Sequence, residues 1–211
     1  MGVDAIKDGL RQKIIAALQR AGFQLQAGDS AQEGLSSEHD PALSALRGVA
    51  NVVATMETHF DHDAIQRHLE AVAGWASAVC FRYVLGQPVI VALVDADRLT
   101  EPDCIAVARR FDKVIVEMLE VTANLNVSLR PVKLGSTGIL LFMFREPGKA
   151  AAFLGGTQKR CKFLHFWKKT WVLPWVIDVP GKTASGHRGL PFFMSVVLNL
   201  QELQKRVFAD A

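Results

Sequence analysis

Three apolar runs, each of strand length and no longer, limit what this chain can become. They are residues 89–94 (VIVALV), 139–143 (ILLFM) and 172–177 (VLPWVI). Even the longest runs, 88–94 and 138–144, fall far short of the roughly 18 apolar residues that cross a bilayer. They are sheet material. Between them the pattern turns helical. "TEPDCIAVARRFDKVIVEMLEVT" (100–122) carries Thr100 as an N-cap and Pro102 in its first turn. "EPGKAAAFLGG" is a short helix, and "LPFFMSVVLNLQELQKRVF" is a closing helix with Lys205 and Arg206 at its C-terminal end.

Upstream the chain reads as helices. Ile6, Leu10, Ile14, Ala17 and Leu18 make one stripe over residues 4–21, which Gly22 closes. A polar stretch rich in Gly and Ser follows. A helix then starts at Asp40-Pro41, with Leu43, Leu46, Val49, Val53 and Met56 as its stripe. Another carries Ile65, Leu69 and Val72. The expected fold class is α+β: an N-terminal helical segment, then an antiparallel or mixed β-sheet built from hairpin–helix units. Residues 1–75 form the helical segment and 76–211 the sheet domain, although the two also read as one continuous domain. Short turns at Gly86-Gln87 and at Gly135–Gly138 favour hairpins, and hence helices on one face of the sheet.

Charge is unevenly placed. Residues 1–70 hold ten acids against six bases, and residues 71–211 hold eleven against eighteen. Between Glu146 and Asp178 there are six bases and no acid. A local positive field is the expectation there. Cys80, Cys104 and Cys161 are an odd, scattered set, which suits a reduced, cytoplasmic protein. No membrane partner is expected.

"KRCKFLHFWKKTWVLPW" (159–175) concentrates that charge among aromatics. Read as one extended strand over 163–179, it places Trp167, Trp171 and Trp175 on one face, expected to be a layer of the core with the bases at its mouth. Pro174 restricts such a strand to an edge or a bulge. The same residues also suit a surface that takes an anionic ligand or a protein partner, nucleic acid included. Lys168 and Lys169 would hold phosphates and Trp167 or Trp171 would stack on a base. Arg160, Lys162, Lys182 and Arg188 are the flanking bases.

Catalytic signals fail their context requirements, and no cofactor is called for. Asp95 and Asp97 end a strand and could hold a divalent metal. They support an alternative reading, a metal-dependent enzyme acting on nucleic acid or a phosphate ester. His59, Asp61, His62 and Asp63 are metal-ligand types, but His62 and His68 lie six residues apart and diverge on a helix. Gly181-Lys182-Thr183 lacks the earlier glycine of a phosphate loop. His187 is a loop base candidate. Cys161, between Arg160 and Lys162, is expected to have a depressed pKa. His165 is expected in the core. A cytoplasmic binding or regulatory module is the leading expectation, and a structural subunit of a homo-oligomer is a third.

Overall fold

The computed structural model describes residues 3–26, 62–84, 87–121, 124–127, 130–133, 135–186 and 200–208. Helix α1 (Val3–Arg20) leads into the short strand β1 (Gln24–Leu25). Helix α2 (His62–Ala73) precedes the antiparallel hairpin of β2 (Ala78–Val84) and β3 (Gln87–Asp95). Helix α3 (Glu101–Glu117) follows, and β4 (Asn124–Val127) pairs with β5 (Arg130–Lys133) as a separate two-stranded sheet. Strand β6 (Ser136–Phe144) then leads to α4. This helical run joins Lys149–Ala152, a π-helical stretch Phe153–Thr157 and Gln158–Arg160. The remaining elements are β7 (Phe163–His165), β8 (Thr170–Asp178), β9 (Thr183–Gly186) and α5 (Leu200–Phe208).

Seven strands form one mixed sheet in the order β1-β2-β3-β6-β8-β7, with β9 also on β8. The α+β class expected from the sequence is the class observed. The expected hairpin at Gly135–Gly138 is not formed. Strand β6 instead runs parallel to both β3 and β8. The reason is the length of chain between them: α3 and α4 are long enough to carry the chain back across the sheet, as parallel neighbours require.

Helices cover both faces, not one. On one face Phe111 and Ile115 of α3, Leu69 of α2 and Phe153 of α4 pack on Ile90, Leu140, Phe142 and Val176. On the other, Ile14 and Leu18 of α1 and Leu203 and Val207 of α5 pack on Val91, Ile139, Leu141 and Trp175. Alternate residues of each central strand therefore enter different cores, which is why the strands read as continuous apolar runs. All nine residues of β6 are buried. Gly138 lets α3 sit close, since a Cβ there would stand 2.5 Å from the Phe111 ring.

Caps fix where helices begin and end. Thr100 and Asp103 form a reciprocal capping box at α3, and Pro102 lies in its first turn. Gly22, at φ 84°, ends α1 as its composition predicts. The predicted helix after Pro41 lies outside the described residues, and so does the part of the closing helix before Leu200.

Candidate functional site

Residues 163–179 are not one strand. Strand β7 pairs antiparallel with β8, Phe163 opposite Val172 and His165 opposite Thr170. Between them Phe166–Lys168 form a 3-10 turn, and Lys169 closes it with a left-handed backbone at φ 53°. Single-strand alternation therefore breaks at Phe166. Trp171 and Trp175 do share a face, and Trp175 is fully buried in its core. Trp167 leaves that face and is fully exposed, at 101%. Phe166 beside it is 71% exposed.

The turn is braced from below. The amide of Ser136 donates to the Lys169 carbonyl at 3.1 Å, and Lys169 N–H returns to Phe166 O at 3.2 Å. Gly135 makes this approach feasible: a Cβ there would lie 2.1 Å from the Lys169 carbonyl oxygen, and its φ of 83° disfavours any side chain. On the other arm, His165 Nε2 meets both oxygens of Asp112 on α3, at 2.9 and 3.1 Å. His165 is thus an anchored, half-exposed residue, not the core histidine expected. Lys168 and Lys169 are exposed, and neither ammonium is ion-paired among the described residues.

The other predicted bases scatter. Arg160 is drawn to Glu101 at the start of α3. Lys162 is half-buried where the chain enters β7. Lys182 lies in the turn after β8, the full length of that strand from Lys169, which is about 26 Å at 3.3 Å per residue. Arg188 and His187 lie outside the described residues. The structure brings together Trp167, Lys168 and Lys169, with Phe166 added. Sequence reasoning passed over Phe166 because even spacing placed it on the opposite face of a strand. The signal that could have found the turn was local: four bulky or charged residues, Phe-Trp-Lys-Lys, interrupting two apolar segments.

At the far end of the parallel strands, Asp95 and Asp97 are both held by Arg145. Asp97 Oδ1 accepts from the amides of Arg145 and Glu146, at 2.7 and 3.2 Å. Its Oδ2 lies 3.5 Å from Arg145 Nη1, while Arg145 Nη2 donates to Asp95 at 2.9 Å. Lys149 bonds the Asp97 carbonyl. These carboxylates clamp the loop leaving β6 to the loop leaving β3. His62 opens α2 and Asp63 lies in its first turn, whereas His59 and Asp61 lie outside the described residues. No group of three metal-ligating side chains converges among the described residues.

Cys161 corrects its expectation outright. It is fully buried, and burial pushes its pKa up to about 12, against the weaker opposing effect of Arg160. Cys104, also buried, is raised to about 11. Neither is an activated thiol.

No helix of the described residues is long and apolar enough to cross a membrane. The chain matches no protein-family model, no curated protein and no solved structure at a significant level.

Proposed function

We propose that the chain is a binding module that takes up an anionic partner at the Phe166–Lys169 turn. The observation that carries this reading is Trp167 standing wholly in solvent beside two lysines with no carboxylate partner among the described residues. An exposed indole on a braced turn loses little conformational freedom on binding, and it gains most of its contact area from the partner. Adjacent ammonium groups supply attraction and orientation. The acid-free stretch from Lys149 to Ile177 leaves that local charge uncompensated along the sequence.

The test is charge reversal. The Lys168→Glu/Lys169→Glu double variant should bind heparin roughly tenfold or more weakly at low salt, with the gap narrowing as salt rises. Lys182→Asn, at the opposite end of β8, should leave binding unchanged. Equal loss in both variants, or none in the double variant, would place the anion site elsewhere.

A further inference from the structure

We infer that the anionic partner is the headgroup surface of a lipid bilayer, met by the tip of the Phe166–Lys169 turn with no spanning segment. This rests on the anion-docking reading above and narrows it. It also departs from the sequence expectation that no membrane is involved, and the reason is the shape of the site.

The four residues form the convex closure of a hairpin. They are Phe166 and Trp167, both exposed, followed by Lys168 and Lys169. Aromatic side chains bury about 150–250 Å² each when fully enclosed. The two rings of the tip therefore offer about 300–500 Å², below the roughly 800 Å² that each partner contributes to a standard interface with a folded macromolecule. A bilayer needs no matching surface, because it closes around whatever is inserted. Trp and Phe suit the headgroup boundary, where one part of the ring is dry and the rest wet, and lysines suit anionic headgroups. A single-stranded nucleic acid would stack bases on an aromatic ring, but it tracks a basic groove. Here two of the predicted bases are diverted from such a track: Arg160 is paired with Glu101, and Lys182 sits at the other end of β8.

The brace adds to the case. Gly135 and the His165–Asp112 contact hold the turn on a buried strand and on α3. The tip is thus pre-shaped for shallow insertion and does not have to fold on contact.

The experiment is cosedimentation of the full chain with vesicles of phosphatidylcholine, with and without about 30% phosphatidylserine. Oligothymidylate and heparin are assayed in parallel. Binding should require phosphatidylserine. It should fall roughly tenfold or more in Lys168→Glu/Lys169→Glu, and at least as far in Trp167→Ala. Lipids brominated on their acyl chains should quench fluorescence of the bound chain, and Trp167→Phe should still sediment but lose that quenching. Quenching that persists in Trp167→Phe overturns the insertion. Tight binding to oligothymidylate or heparin with no vesicle binding overturns the bilayer assignment and keeps the anion-docking reading. Binding to none of the three probes overturns both.

Discussion

The two ends of the parallel strands β3, β6 and β8 are built in opposite ways. At their C-terminal ends the two carboxylates that the sequence singled out are bonded to the protein itself, while Lys182 after β8 stays exposed. Asp95 and Asp97 share Arg145, and Asp97 also ties down two backbone amides. At their N-terminal ends two aromatics and two lysines are presented to solvent on a turn braced by backbone hydrogen bonds at Lys169. The carboxyl ends of parallel strands are where ligands bind in many open α/β sheets. In this fold that end is tied by a salt-bridge clamp, and the exposed aromatic–lysine cluster lies at the other. Titratable residues at a strand end carry no functional weight until their partners are known.

The sharpest way to break this contrast is to exchange the roles of the two tryptophans on one hairpin. Trp175→Ala should cost about 3–5 kcal/mol in chemical denaturation, because a fully buried indole leaves a cavity. Trp167→Ala should stay within about 0.5 kcal/mol, since nothing packs on that ring. A large loss from Trp167→Ala would mean that the turn is part of the core.

A smaller effect separates the charged groups. Asp97→Ala should cost about 2 kcal/mol, because the Arg145 and Glu146 amides lose a charged acceptor and Arg145 loses one of its two carboxylates. Lys168→Ala should be neutral for stability by the same measurement. Equal values would erase the distinction between an engaged end and a free one.

The smallest expected effect is in pH. His68 on α2 lies 4.0 Å from Glu117 at the end of α3. Burial nevertheless outweighs that carboxylate and holds its pKa below the ordinary 6.5. The folded protein therefore favours the neutral ring. Its contribution to stability is complete above pH 6.5, and it is lost as pH falls through that value toward the lower folded pKa. A His68→Gln variant should show a flatter decline in denaturation midpoint over this window. An unchanged slope would remove burial of His68 as a determinant.

Sequence reading went furthest where one periodicity ruled a whole element. The stripe of Ile65, Leu69 and Val72 is buried as expected, and so are Ile14, Ala17 and Leu18. Thr100 and Pro102 open α3 as their types require. It went least far where two elements had to be separated within one polar-aromatic stretch. Even spacing from Phe163 to Ile177 imitates a single strand, and only the left-handed Lys169 and the close approach of Gly135 show the break. Both depend on β6, which is distant in sequence. Charge partners were hidden for the same reason: Arg145 lies about fifty positions from Asp95, and the spacing of Asp95 and Asp97 carries no trace of it. The basic window was legible as composition, but composition has no geometry. Burial of Cys161 cancelled the effect that its basic neighbours promised.

Pro174 has a consequence for how copies of this chain behave when crowded. The outer rim of β8 is covered by β7 along residues 170–172 and by β9 along 175–178. Pro174 falls in the gap between them, with no N–H to offer, and Gln158 occupies its carbonyl at 3.2 Å. The two strands left at this margin are only three and four residues long. A passing chain finds no ladder there long enough to extend, so this flank of the sheet is protected from templated fibre growth.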